Sequence, residues 1–144
     1  MKFTLLSALA LPFFASAAIH TVAVGSNGLS FSPQTITAAK GDQIAFVFDG
    51  AGHTVAQGNF KSGCQPYKKG AFFSGNGPQG KTWTMTVTST APQSFYCSTP
   101  GHCENGMYGV INPAGANTLA AYGKLASKAS GSKAPSKVKG GSFN

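Results

Sequence analysis

Short apolar runs broken by turn residues dominate the sequence from residue 19 to residue 112. The run KTWTMTVT, residues 81–88, alternates apolar side chains with threonines, which is the pattern of an antiparallel strand with one buried face. The run QIAFVF, residues 43–48, is nearly all apolar and is expected to lie deeper. Because no helical period separates these runs, the sequence predicts an all-β sandwich or barrel. Further strands are predicted at 20–25, 31–38, 94–97 and 107–112.

Two segments depart from this strand pattern. Residues 57–81 are rich in Gly, Lys, Asn and Pro and predict a long excursion, with a candidate short strand at 71–73. Beyond Pro113, NTLAAYGKLASK has helical propensity, and SGSKAPSKVKGGSFN at 130–144 has the composition of a disordered segment. We therefore expect a β domain at 19–112, followed by a short C-terminal helix and a disordered, lysine-rich tail within 113–144.

The first residues have the pattern of a secretory signal peptide. MKFTLLSALALPFFASAA, residues 1–18, places a lysine before a short apolar run and ends in small residues. The apolar run is too short for a membrane span. The sequence thus predicts a secreted, extracellular protein, with cleavage after Ala18 or, as the alternative, after Ala17.

The positive charge lies mostly in the C-terminal part of the chain. Residues 19–112 carry five lysines and three acidic residues, whereas 113–144 carry five lysines and no acidic residue. The chain contains no arginine, and its β domain has no basic patch interleaved with aromatics, so nucleic-acid binding is not expected. A lysine-rich tail on a secreted protein is suited to contact with polyanionic cell-wall or surface material, or it serves only to keep the protein soluble.

The stretch FYCSTPGHCENGMYGV, residues 95–110, concentrates side chains that bind soft metals. Four residues separate Cys97 from His102, and four more separate His102 from Met107, while Cys103 directly follows the histidine. The whole chain holds only three cysteines, three histidines and three methionines. This grouping indicates a metal site, and the odd number of cysteines leaves one thiol to be explained in an oxidising compartment.

His53 is the candidate for a further ligand from upstream. It follows the buried run at 43–48 and its turn, which places it at one end of a sandwich. The loop at 97–107 lies between two later predicted strands and can open at the same end. Two imidazoles and a thiolate with a weak axial thioether are the donors of a mononuclear blue-copper site. The predicted ligands are His53, Cys97, His102 and Met107.

Each of these residues also has an ordinary structural interpretation. Cys97 can be a buried core thiol, or it can pair with Cys64 and leave Cys103 free. Met107 can serve only in core packing, and His53 can be a turn histidine. His20 raises a different copper chemistry, that of monooxygenases that bind metal through an N-terminal histidine, but this requires cleavage after Ile19, which is a poor signal-peptidase site.

The copper-loop sequence FYCSTPGHCENGMYGVI resembles that of the cupredoxins, especially plant phytocyanins and plastocyanin-like secreted proteins of fungi. The resemblance extends over residues 19–112 and includes FSPQTITAAKGDQIAFVF and GHTVAQ. It implies a Greek-key β-sandwich with one copper ion near one end. It also implies a disulfide between Cys64 and Cys103, which leaves Cys97 unpaired for the metal.

The family resemblance implies a one-electron carrier that cycles between Cu(II) and Cu(I). Four protein ligands leave no obvious open position for a substrate, so we do not expect an enzyme. The redox partner is expected to be a protein or a small-molecule donor or acceptor. The alternative is an extracellular protein that sequesters copper or interacts with the cell wall without a redox role.

Overall fold

The computed structural model describes residues 8–13 and 15–144. Within these residues, nine strands form two sheets, accompanied by one α-helix, α1 (Leu119–Ser127), and one turn of 3-10 helix at Cys103–Asn105. The two sheets with one short helix confirm the predicted β-sandwich. The strands are β1 (Ile19–Val24), β2 (Phe31–Ser32), β3 (Thr35–Ile36), β4 (Gln43–Phe48), β5 (Ala56–Gln57), β6 (Thr82–Thr86), β7 (Gln93–Tyr96), β8 (Tyr108–Ile111) and β9 (Gly141–Phe143).

The larger sheet has the strand order β2-β1-β4-β6-β9, and the smaller has the order β3-β8-β7-β5. Strand β4 lies at the centre of the larger sheet, parallel to β1 and antiparallel to β6. This confirms the antiparallel strand predicted at 81–88. Of the consecutive strands, only β1 with β2 and β7 with β8 pair directly, because the chain otherwise passes from one sheet to the other.

Aromatic rings fill the space between the two sheets. Phe31, Phe46 and Phe95 meet edge to face, with ring centroids 5.0 to 6.3 Å apart. Trp83 lies against Phe46 at 6.0 Å and is fully buried. Each such side chain contributes about 1.5–3 kcal/mol by its removal from water, and edge-to-face contact adds to this. The core thereby fixes how the ends of β4 and β7 approach each other.

A second core lies on the outer face of the smaller sheet. There α1 packs Tyr122 and Ala126 against β7 and β8, together with the disulfide between Cys64 and Cys103. The phenol oxygen of Tyr122 accepts a hydrogen bond from the Cys64 N–H at 3.2 Å. Burial raises the pKa of Tyr122 to about 12, so the phenol stays neutral. Residues of β7 and β8 are therefore buried on both faces.

The C-terminal tail corrects a prediction. Helix α1 forms where the sequence predicts it, but residues 130–144 follow a defined path instead of being disordered. The Lys133 N–H donates to the Cys64 carbonyl at 3.0 Å, and Phe73 and Lys139 exchange two backbone hydrogen bonds of 2.8 and 3.0 Å. Strand β9 then pairs with β6. Composition did not reveal this order because it comes from backbone groups of distant segments.

Two smaller differences concern strand boundaries. The strand predicted at 31–38 is divided into β2 and β3, with a cis peptide bond between Ser32 and Pro33. Residues 71–73 form no strand, although Phe73 makes single bridges to Ala56 and Lys139.

The predicted signal peptide at 1–18 lies partly outside the described residues. Residues 8–13 and 15–18 are exposed and belong to no helix or strand. Ala18 nevertheless contacts the domain, because its N–H donates to Asp42 Oδ1 at 3.0 Å and its carbonyl accepts from the Gln43 N–H at 2.9 Å. No helix in the described part of the chain is both long and apolar enough to cross a membrane.

Asp42 joins three segments near the start of the larger sheet. Its carboxylate lies 2.8 Å from His20 Nε2 and accepts hydrogen bonds from the N–H groups of Ala18 and Ala39 at 3.0 and 2.9 Å. The bond with His20, followed by those two backbone bonds, lowers the pKa of Asp42 from 3.8 to about 2. His20, the residue considered as an N-terminal copper ligand, lies within β1, and its ring contacts the Asp42 carboxylate.

We predict that Asp42→Asn lowers the free energy of unfolding near neutral pH and that this difference disappears in acid. Because the folded-state pKa is below the ordinary value, the ionised carboxylate stabilises the fold above about pH 4, and this contribution is lost as the pH falls towards about 2. Urea unfolding at a series of pH values measures the difference. Asp49→Asn, at an exposed carboxylate after β4, serves as the control. A difference that does not change with pH would contradict the assignment.

Candidate metal centre

The predicted ligands lie where strands of both sheets end. His53 follows the turn after β4, and Cys97 is the first residue after β7. His102 directly precedes the 3-10 turn, and Met107 directly precedes β8. The core holds β4 and β7 in opposite sheets, so the two sheets bring together side chains that are 44 residues apart in the sequence.

Three donor atoms converge at this end of the sandwich. His53 Nδ1 lies 3.2 Å from His102 Nδ1, and Cys97 Sγ lies 3.4 Å from His102 Nδ1 and 4.0 Å from His53 Nδ1. A point equidistant from three atoms with these separations is about 2.1 Å from each of them. Zn²⁺, a first-row metal with the same ligand types, binds imidazole nitrogen at about 2.0–2.1 Å and thiolate at about 2.3 Å. The donors therefore fit one metal ion without rearrangement.

The three donor side chains are wholly or partly removed from water. Cys97 is fully buried, His53 is 6% exposed and His102 is half-buried. Desolvation lowers the pKa of His53, and repulsion from His102 lowers it further. The neutral imidazole that results is the form that binds a metal.

Cys97 is the free cysteine of the chain, and Thr54 is its polar neighbour. The Thr54 N–H donates to Cys97 Sγ at 3.4 Å. The Thr54 hydroxyl lies 2.9 Å from the Ser98 hydroxyl and accepts from the Ser98 N–H at 2.7 Å, which ties the two segments together beside the sulfur. A hydrogen bond to a ligating sulfur influences the reduction potential of a bound metal.

Two glycines hold the His53 ring in place. A Cβ atom on Gly25 would lie 2.4 Å from His53 Cδ2, and one on Gly50 would lie 3.2 Å from His53 Nε2. Gly25 also has a φ of +74°, which glycine adopts at no steric cost. The backbone thus packs against the ring on the side away from Nδ1. Sequence reasoning missed Gly25 and Thr54, because a glycine after a strand and a threonine outside any strand carry no local signal of this role.

Met107 closes the ligand loop through its backbone. Its N–H donates to the His102 carbonyl at 3.1 Å, and its carbonyl accepts from the Cys97 N–H at 3.0 Å. The side chain is fully buried in the same core cluster as Cys97. Two backbone hydrogen bonds therefore join Cys97, His102 and Met107 at the base of one loop.

The disulfide joins Cys64 to Cys103, with their Cα atoms 5.7 Å apart. This excludes the alternative pairing of Cys64 with Cys97. The bridge ties the long excursion to the residue next to His102, and a bond that closes a loop of 39 residues can stabilise the fold by up to about 4 kcal/mol. It therefore restrains the ligand loop.

Comparison with known proteins agrees with this geometry. Residues 18–112 match the model of the copper binding proteins of the plastocyanin/azurin family. The chain is 35% identical over 144 residues to the probable GPI-anchored cupredoxin-1 of Arthroderma benhamiae, a match that covers 99% of this chain and 77% of that protein. It is 36% identical over 146 residues to an extracellular serine-rich protein of the same organism, covering 97% of this chain but only 57% of that longer protein.

The solved structure of a pseudoazurin from Sinorhizobium meliltoi has the same fold. It matches with a TM-score of 0.51 at 20% identity and covers 77% of this chain and 95% of that protein. The family match spans well over half of the chain and includes the four residues predicted as copper ligands. The chain belongs to the copper-binding plastocyanin/azurin family, the cupredoxins.

Proposed function

We propose that this chain is a secreted type 1 copper protein that carries single electrons. The observation that supports this most directly is the convergence of His53 Nδ1, Cys97 Sγ and His102 Nδ1 at separations of 3.2 to 4.0 Å. When bound there, copper would supply a one-electron couple between Cu(II) and Cu(I). The chain would accept one electron from a donor and deliver it to an acceptor, with no transfer of protons or atoms.

His53, Cys97 and His102 would hold the ion through two imidazoles and a thiolate, and Met107 would add a weakly bound thioether. The thiolate and imidazoles suit both oxidation states, and a thioether helps to retain the reduced ion. Because the donor atoms of His53, Cys97 and His102 already lie within 4.8 Å of one another, a change of oxidation state would require little movement of these three side chains.

A carrier role fits the accessibility of the site better than catalysis does. Four protein donors leave no obvious position for a substrate. His53 and Cys97 are buried, whereas His102 is half-buried and follows the exposed Pro100. The edge of the His102 ring is therefore the proposed route for electrons to a protein or small-molecule partner.

Secretion is supported by three separate observations. The N-terminal residues have the pattern of a signal peptide, and a disulfide such as Cys64–Cys103 persists in oxidising compartments. The two related proteins described above are named as GPI-anchored and as extracellular.

We predict that purified apo-protein binds one Cu(II) per chain and turns intensely blue, because the Cys97 thiolate donates charge to the ion. Cys97→Ser abolishes the visible band. Met107→Leu retains a blue colour with a shifted band and a changed reduction potential, because a weakly bound thioether would tune the site and not create it. Titration followed by visible absorption measures both effects.

Met85→Leu is the matched control for Met107→Leu, since Met85 is a buried methionine of the same core that lies in β6. Its spectrum should equal that of the unchanged protein. A colourless copper complex would contradict the type 1 site, and identical spectra for the Met107 and Met85 variants would show that Met107 only packs.

The carrier role predicts fast and reversible redox behaviour. Cyclic voltammetry of the copper-loaded protein should give a reversible one-electron wave, and mixing of oxidised and reduced protein should show rapid self-exchange. An irreversible wave or slow self-exchange, in a protein that keeps its blue band, would favour the alternative, a protein that sequesters copper without carrying electrons.

A further inference from the structure

The ordered tail and the long excursion enclose a cleft of about 480 Å³. One wall is formed by residues 66–71 of the excursion and the other by residues from 134 to 139 of the tail. Its size falls within the range of small-molecule binding sites. Four lysines line it, two from each wall: Lys68, Lys69, Lys137 and Lys139.

Backbone hydrogen bonds hold both walls of the cleft in position. The Ala71 N–H donates to the Lys68 carbonyl at 3.0 Å, which closes a turn in the excursion. The paired bonds between Phe73 and Lys139 attach the tail beside it. The phenol of Tyr96 donates to the Lys133 carbonyl, and burial keeps the pKa of Tyr96 well above its ordinary value. The lysines thus belong to a formed surface and not to a flexible tail.

No carboxylate side chain neutralises the lysines of this cleft. The described residues include all three acidic residues of the chain, and the only ion pair that they form joins Asp42 to His20. Asp49 lies after β4, and Glu104 accepts a hydrogen bond from Ser132 at 2.6 Å. Four ammonium groups that share one cleft without an acidic partner repel one another, and an anionic ligand would relieve this repulsion.

The remaining lining suits a ring-shaped ligand with an apolar face. Pro66 and Pro135 contribute apolar surface to opposite walls of the cleft. The cationic groups are all ammonium groups, because the chain has no arginine. Lysine acts as a point charge without the planar bidentate geometry of arginine, so each ammonium group can contact a separate anionic group.

We propose that this cleft binds an acidic polysaccharide through the carboxylate or sulfate groups of its sugar units. The sugar rings would lie against the proline surfaces, and the lysines from the two walls would contact anions on successive units. This function is separate from copper binding and would hold the protein at an anionic glycan surface.

The test uses the mature protein with its C-terminal tail. Isothermal titration calorimetry measures its binding to polygalacturonate, to dextran sulfate and to uncharged dextran. Binding to either polyanion but not to dextran is expected, and the tighter of the two identifies the anionic group. The cleft variant replaces all four cleft lysines: Lys68→Gln, Lys69→Gln, Lys137→Gln and Lys139→Gln. Its affinity should fall by at least about tenfold.

A variant with the same change in net charge separates the cleft from general charge. It replaces four exposed lysines that do not line the cleft: Lys40→Gln, Lys81→Gln, Lys124→Gln and Lys128→Gln. Its affinity should fall by less than about threefold. Equal losses in the two variants, or no binding of either polyanion to the unchanged protein, would overturn the proposal. The copper spectrum reports the proposed function independently and should be unchanged in both variants.

A second inference rests on the proposed secretion and concerns the contacts of Ala18. Cleavage after Ala18 would remove both of its hydrogen bonds, to Asp42 and to Gln43. Cleavage after Ala17 would retain them, and it would place Ala15 and Ala17 at the small-residue positions that signal peptidase requires.

We infer that water hydrolyses the bond between Ala17 and Ala18, leaving a carboxylate on the leader and an ammonium group on Ala18. That ammonium group would form an ion pair with Asp42. The mature chain would then begin at Ala18.

Intact mass and N-terminal sequencing of protein secreted from the full-length precursor test this inference. A chain that starts at Ala18 is expected. A secreted chain that starts at Ile19 would overturn the inferred cleavage site but agree with the proposed secretion. A precursor that stays in the cell uncleaved would contradict the cleavage site and the secretion alike. In addition, a chain starting at Ala18 should unfold at a higher temperature than one starting at Ile19, and Asp42→Asn should reduce this difference.

Discussion

The burial of the smaller sheet on both faces is the constraint on which the rest of the structure depends. A sheet of four short strands cannot leave the outer faces of β7 and β8 in water, because Tyr96 and Val110 are there. Helix α1, the excursion and the disulfide cover that face. The same covering fastens Cys103, and therefore restrains the neighbouring His102. The core that stabilises the sheet is thus also the support of the metal centre.

Polar and charged groups are distributed between separate regions. At the metal centre, His53 and Cys97 are withdrawn from water and only His102 approaches the surface. Lysines collect instead where the excursion meets the tail, and the carboxylates lie elsewhere. None of the three acidic residues, all of which the structure describes, forms an ion pair with a lysine. The metal centre and the lysine-lined cleft therefore share no residues.

Much of the metal centre could be predicted because its residues are local in sequence. Cys97, His102 and Met107 lie in one loop, and two backbone hydrogen bonds join them across it. His53 required an argument about strand ends, and the partner of Cys103 came from family resemblance. Gly25 and Thr54 could not be predicted, because their roles depend on contacts with His53 and Cys97 across the fold. The tail was predicted wrongly because its hydrogen-bonding partners, Cys64, Phe73 and β6, are distant in the chain.

The sequence by itself determined the periodicity of the strands, the identity of the soft donor atoms and the spacing of three of them, because these are properties of neighbouring residues. The tertiary structure alone decided that His53 Nδ1 lies 3.2 Å from His102 Nδ1 and that the lysines of the tail line the same cleft as those of the excursion. The reason is physical: each of these contacts joins segments whose approach is set by packing of the two sheets and of α1, and not by any local preference of the chain.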